Sequence, residues 1–135
     1  MLRAGAMIGL VILLAFPACK DTNAPGNGDS PSNVVFPARD VSYSVQVQQV
    51  FNQACNFGGC HDNGAHQSPL RLTEYGFAVL TIPGIVVSGK PDESTLVFRI
   101  EGRVGERMPP SPTNPLNQNQ INGIRTWIAE GAKNN

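Results

Sequence analysis

Two cysteines and a histidine, Cys55, Cys60 and His61, are the feature that most constrains what this chain can fold into. Four residues separate the two thiols, and the imidazole follows the second thiol directly. Gly58 and Gly59 lie between the thiols and permit the wide loop that this spacing needs. The pattern fits three chemistries: thiols that attach a haem beside an imidazole that ligates its iron, a plain disulfide, or half of a zinc site.

Residues 1–18 are predicted to be an export signal. One basic residue, Arg3, precedes an uncharged stretch from residue 4 to residue 18, which is shorter than the ~20 residues that cross a bilayer as a helix. Cys19 follows Ala18 directly, and this junction resembles a bacterial lipobox, whose cysteine becomes the lipidated first residue. Simple secretion and a retained anchor are the alternatives. All three interpretations export the remaining chain, to the periplasm or the outer surface.

Residues 19–40 are predicted to hold the lipidated Cys19 and a flexible tether, because residues 20–40 are rich in Asn, Gly, Pro and Ser. The folded domain is then residues 41–135, a small core that would gain from a large apolar cofactor. Ten basic and ten acidic side chains give a formal charge of zero, and loss of Arg3 with the signal leaves −1. This balance argues against nucleic-acid binding, which normally requires a basic excess.

Four helices joined by long loops are predicted within the domain, with no alternating strand pattern. Ser42 or Ser44 can cap the first helix. Its apolar positions recur at helical spacing: Val47, Val50, Phe51 and Ala54. A second, short helix is expected from Thr73, with apolar positions 77 and 80 on one face. A third begins at Pro91, with acidic residues in its first turn and an apolar side. That side consists of Leu96, Val97 and Ile100.

The last helix has the clearest pattern. Asn117 is its predicted cap, Gln120 follows three residues later, and Gly131 is expected to stop the helix. Isoleucines at positions 121, 124 and 128 line one face, with Trp127 beside them.

Met108 is the one methionine outside the predicted signal, and it lies in an irregular loop between Arg107 and two prolines. It could fill a gap in the core. Downstream of the paired thiols and His61, it is better interpreted as a second axial ligand, since His/Met ligation is a cytochrome c pattern. A zinc site would have only His61 and His66 as further ligands. His66 is interpreted as a surface residue, with a competing role as axial ligand in place of Met108.

Four ordered segments resemble the monohaem cytochrome c domains of planctomycetes and Bacteroidetes-type bacteria. They are the short apolar segment Leu70-Arg71-Leu72, the loop 85–94 (IVVSGKPDES), the methionine loop 107–110 (RMPP), and the terminal helix around IRTWIAEGA at 124–132. Ser88 stands where that family usually has Pro. The spacing of four residues between the cysteines is wider than in the commonest haem motif, and the family sometimes shows this wider spacing.

This resemblance implies an all-α, cytochrome c-like domain with long loops around one covalent haem c. Cys55 and Cys60 would attach the haem, and His61 and Met108 would ligate its iron. The implied function is electron transfer with redox partner proteins, without enzymatic activity and with membrane contact through the lipid on Cys19. The alternatives are a haem enzyme or gas sensor with a labile Met108, and a haem-free binding module held by a disulfide.

Three further residues are candidates for contact with the haem. Trp127 is expected to pack on the haem or to lie in the ordinary core, and Phe51 is expected at the porphyrin edge. Arg71 is a candidate partner for a haem propionate, or else a solvated loop arginine.

Overall fold

Among the described residues, the regular elements are three α-helices, one π-helical turn and one 3₁₀ turn. The computed structural model describes residues 30–56, 59–64, 69–76 and 82–135. A π-helical turn, Tyr43–Val47, leads into α1, Gln48–Ala54. A 3₁₀ turn, Pro91–Glu93, precedes α2, Thr95–Ile100, and α3 is Gln118–Ala129. Within the described ranges every regular element is a helix, which confirms the predicted all-α class.

The first helical segment begins at a serine cap, as the sequence predicts. Ser42 rather than Ser44 is the cap, because the Ser42 side chain accepts a hydrogen bond from the Val45 amide at 3.3 Å. The four predicted apolar side chains are all buried: Val47, Val50, Phe51 and Ala54. The amphipathic pattern therefore sets which face of α1 meets the core.

The helix expected from Pro91 is divided in two. Ser94 has an extended backbone, with φ −93° and ψ 119°, so the 3₁₀ turn ends there and α2 starts at Thr95. The Ser94 hydroxyl donates to the Lys90 carbonyl and accepts from the Val87 amide, both at 2.9 Å. These bonds compete with a continuous helix. The predicted apolar residues of α2 are buried: Leu96, Val97 and Ile100.

The last helix agrees with its prediction at both ends. Asn117 accepts from the Gln120 amide, and the Gln120 side chain accepts from the Asn117 amide, which forms a complete capping box. Gly131 follows the helix with φ 105°, a conformation that L side chains rarely adopt. Trp127 lies in the core, 5.4 Å from the Tyr43 ring between ring centroids.

The second predicted helix falls largely on residues 77–81, outside the described residues. The export signal and Cys19 also lie outside them. No helix among residues 30–56, 59–64, 69–76 and 82–135 is long and apolar enough to cross a membrane.

The segment just before position 41 packs along α3 instead of standing apart from the domain. Phe36 is buried, and its amide and carbonyl form hydrogen bonds with the side chain of Asn119 at 2.8 and 3.1 Å. Gln120 donates to the carbonyls of Ser32 and Val34 at 2.8 and 3.1 Å. The packed part of the chain therefore includes residues upstream of the predicted boundary at 41, because polar groups of α3 bind the backbone of this segment.

Candidate functional site

A cavity of about 390 Å³ lies between the end of α1, α2 and the loops around residues 70, 82–85 and 104–108. Its volume is within the range of small-molecule and cofactor sites. Aliphatic side chains form most of its wall: Leu70, Leu72, Ile82, Ile85, Leu96, Ile100 and Val104. Cys55, His61 and Met108 also line it. Three of the four residues predicted to hold a cofactor therefore meet at one apolar cavity.

His61 is held by backbone hydrogen bonds on three sides. Its amide donates to the Cys55 carbonyl at 3.2 Å, and its carbonyl accepts from the Leu72 amide at 2.9 Å. Its Nδ1 lies 3.0 Å from the carbonyl oxygen of Leu70. Because a carbonyl only accepts, this contact favours the tautomer with the proton on Nδ1 and leaves the Nε2 lone pair available to a metal.

Asp62 binds the backbone on both sides of the Cys60-His61 pair. The Asp62 carboxylate accepts from the amide of Gly59 at 2.9 Å and from the amide of Gly64 at 2.8 Å. Gly59 has φ 83°, so the glycine serves the wide turn that the sequence predicted. Positions 57 and 58 lie outside the described residues. Sequence analysis did not identify Asp62, although an acidic residue directly after the Cys-His pair was available as a signal.

Cys55 and Cys60 are both half-buried free thiols. Cys55 lines the cavity, whereas Cys60 is not one of its lining residues. Burial, and to a smaller extent repulsion from Cys60, raises the pKa of Cys55 to about 12. The Cys55 thiol is therefore neutral near pH 7 in this structure.

Met108 reaches the cavity from the irregular loop that follows α2. Its amide donates to the carbonyl of Arg99 at 2.9 Å, which fixes the start of the methionine loop to the end of the helix. Met108 itself is half-buried, and Pro109 after it is buried. The side chain thus faces the cavity from the far end of α2 while His61 faces it from the loop after α1.

Three other predicted residues do not line the cavity. Phe51 is buried on α1, with its ring centroid 6.4 Å from that of Tyr43. Trp127 donates from Nε1 to the Lys133 carbonyl at 2.9 Å and lies in the same aromatic group. Arg71 is half-buried in the segment next to the cavity-lining residues 70 and 72. His66 falls outside the described residues.

Arg99 is the cationic residue that does line the cavity, and sequence analysis missed it. The signal was present in the spacing, since Arg99 follows Leu96 by three positions and precedes Ile100. Positions i, i+3 and i+4 share a helix face. A second arginine, Arg107, has a buried Nη1 with no hydrogen-bond partner in the described part of the chain, and its Nη2 donates to the Thr113 carbonyl at 3.2 Å.

The donor set suits a haem better than a zinc ion. An imidazole and a thioether form the axial pair of His/Met cytochromes, and an apolar wall suits a porphyrin. The cationic Arg99 in the same wall suits a ligand that carries carboxylates. Among the residues that the structure describes, no group of three His, Cys, Asp or Glu side chains is placed to hold a metal ion.

Part of the chain matches a known protein family. Residues 58–112 match the family model described as "Planctomycete cytochrome C". The matched segment contains Cys60, His61 and Met108, and it begins after Cys55. Searches of the curated proteins and of the solved structures gave no match.

Proposed function

We propose that the chain carries a planctomycete-type cytochrome c domain, because residues 58–112 match that family model, and that it is an electron carrier with one covalent haem c per chain. Cys55 and Cys60 supply the thioether bonds, and His61 and Met108 supply the axial ligands. One observation carries the proposal: His61, Met108 and Cys55 line the same apolar cavity, although they come from distant parts of the sequence.

The protein side chains prepare the site in three ways. The Leu70 carbonyl orients the imidazole of His61, so that Nε2 is the ligating nitrogen. The Met108 sulfur is a neutral, soft donor that favours the reduced metal over the oxidised metal. The aliphatic wall excludes water and lowers the local dielectric. When bound, the haem iron supplies reversible one-electron chemistry.

Electron transfer without substrate turnover follows from this ligand set. With both axial positions occupied by protein side chains, no position on the metal is left for a substrate. A carbon monoxide experiment tests this part of the proposal. The reduced protein should bind carbon monoxide slowly, because Met108 must dissociate first. Rapid stoichiometric binding would instead support the haem enzyme or gas sensor.

Covalent attachment is tested by substitution of each thiol. The full chain is produced in a host with haem-ligation machinery, separated by denaturing electrophoresis and stained for haem. Wild type should retain one haem per chain, and Cys55→Ala or Cys60→Ala should lose one thioether bond, which the pyridine haemochrome spectrum detects. Ser88→Ala, a change in an exposed loop, is the matched control. A colourless wild-type chain with a Cys55–Cys60 disulfide by mass would support the haem-free alternative.

The location and the partners belong to the same proposal. Residues 1–18 direct export, lipid on Cys19 anchors the protein to a membrane, and redox proteins dock near the cavity. Val104 both lines the cavity and is 53% exposed, so an apolar side chain marks the cavity rim. A small apolar contact and a mature formal charge of −1 suit brief encounters with weak electrostatic steering.

A further inference from the structure

We propose that Arg99 binds a haem propionate and thereby sets the position of the haem and raises its reduction potential. This inference rests on the proposed function, because it requires a haem in the cavity. The sequence offered Arg71 as a candidate for this role, or else as a solvated loop arginine. The structure favours Arg99, since Arg99 is in the cavity wall and Arg71 is not one of the lining residues.

The hydrogen bonds of Arg99 distinguish it from the ion-paired arginines of the domain. Arg125 binds two carboxylates, Asp92 at 2.8 Å and Glu101 at 3.0 Å. Arg103 pairs with the same two acids. In the described part of the chain, Arg99 has no acidic partner, and its Nη1 donates only to the Val104 carbonyl at 3.3 Å. A planar guanidinium has five N–H donors, so most of its donors remain for a ligand.

The surroundings of Arg99 specify the chemistry of that ligand. The neighbouring cavity-lining residues on α2, Leu96 and Ile100, are aliphatic. A half-buried cation beside an aliphatic wall is stabilised by an anion, and a carboxylate matches the guanidinium fork with two parallel hydrogen bonds. A propionate of the haem brings such a carboxylate to the cavity. The guanidinium would neutralise the negative charge of the propionate, and because that negative charge favours the oxidised, more positive metal, its neutralisation would raise the reduction potential.

Gly105 supplies a way to displace the guanidinium without removing its charge. A Cβ built at Gly105 would collide with Arg99 Nη1, which is the far end of a flexible side chain. Gly105→Ala therefore pushes the guanidinium away from its present position. Because Gly105 has φ 62°, the alanine also adds backbone strain, so circular dichroism is used to check that the variant is folded.

The experiment compares haem-loaded wild type with Arg99→Gln, Arg99→Lys and Gly105→Ala. Arg39→Gln, at an exposed arginine, is the matched control, and Arg71→Gln tests the candidate from the sequence. Resonance Raman spectroscopy reports the propionate bending mode, and potentiometry reports the reduction potential. Arg99→Gln should shift the propionate mode and lower the potential. Arg99→Lys should retain most of the potential while the mode still shifts, because lysine lacks the fork. Gly105→Ala should shift the mode as well.

The outcomes separate this inference from the proposed function. If the wild type binds haem and Arg99→Gln has the same propionate mode and the same reduction potential as the wild type, the role of Arg99 is refuted. A shift in Arg71→Gln alone assigns the propionate to Arg71 instead. If Arg99→Gln does not retain haem, unchanged modes in both Arg99→Lys and Gly105→Ala would still refute the contact. A colourless wild type refutes the haem itself.

Discussion

Gly123 is the position where the packing of the N-terminal segment on α3 is most open to test. A Cβ built at Gly123 would collide with the side chain of Phe36, at its Cβ and ring atoms, so the buried ring depends on the bare glycine. Gly123→Ala should therefore displace Phe36 from its site. Phe36 is buried, so its ring cannot move out of the way as the end of a flexible surface side chain would.

The magnitude follows from two opposing effects. Displacing Phe36 loses up to ~1.5–3 kcal/mol of burial, the usual value for a large apolar side chain. Alanine in a helix interior returns ~1 kcal/mol relative to glycine. The net effect is a destabilisation of ~0.5–2 kcal/mol. At ~1–3 kcal/mol per molar of urea, this lowers the unfolding midpoint by roughly 0.2–2 M.

Urea unfolding of the haem-loaded chain, followed by far-ultraviolet circular dichroism, measures this midpoint. The matched control is the same substitution in a Phe36→Gly background, which removes both the ring and the Cβ that the new side chain would meet. There Gly123→Ala should be neutral or should stabilise by up to ~1 kcal/mol, because only the helix-propensity gain remains. If Gly123→Ala stabilises both backgrounds equally, Phe36 does not pack against this glycine and the described docking is incorrect.

Three further predictions concern the ligand, the surface charges and the anchor. Met108→His should lower the reduction potential and abolish the sulfur-to-iron charge-transfer band of the oxidised protein, and an unchanged optical spectrum would exclude Met108 as ligand. Hydrogen bonds from Arg125 and Arg103 lower the pKa of Asp92. Ionised Asp92 therefore stabilises the fold above its ordinary pKa of 3.8, and this stabilisation is lost as the pH falls through the lowered pKa. The difference in urea midpoint between wild type and Asp92→Asn should accordingly disappear in acid. Cys19→Ser should release red, soluble protein from the membrane fraction, and wild type that is already soluble would contradict lipidation.

The helix signals in the sequence were accurate where local physics decides the outcome. The Asn117 cap depends on a side chain three residues from its partner, and Gly131 depends on its own backbone angle. Both are readable without tertiary contacts. The start of α2 was harder to predict from the sequence, because the Ser94 hydroxyl accepts a hydrogen bond from the Val87 amide in the loop that precedes the helix.

Long-range contacts account for what the sequence did not reveal. A composition rich in Asn, Gly, Pro and Ser predicts a tether, yet Gln120 and Asn119 bind the backbone of that segment from more than 80 residues away. The choice between Arg71 and Arg99 also depends on which loops close the cavity. Trp127 was ambiguous for a similar reason, since an aromatic residue on the apolar face of α3 can meet either a cofactor or Tyr43.

The three backbone hydrogen bonds of His61 have a kinetic consequence. The residue is fixed through its amide, its carbonyl and its ring Nδ1 to the segments around Cys55 and residues 70–72. A ligand that is already immobilised adds little to the reorganisation energy of electron transfer, because it need not move when the metal changes charge. Met108, by contrast, lies in an irregular loop, and its backbone is held by the hydrogen bond from its amide to the Arg99 carbonyl. In the proposed haem site, structural relaxation between the two redox states should therefore be larger around Met108 than around His61.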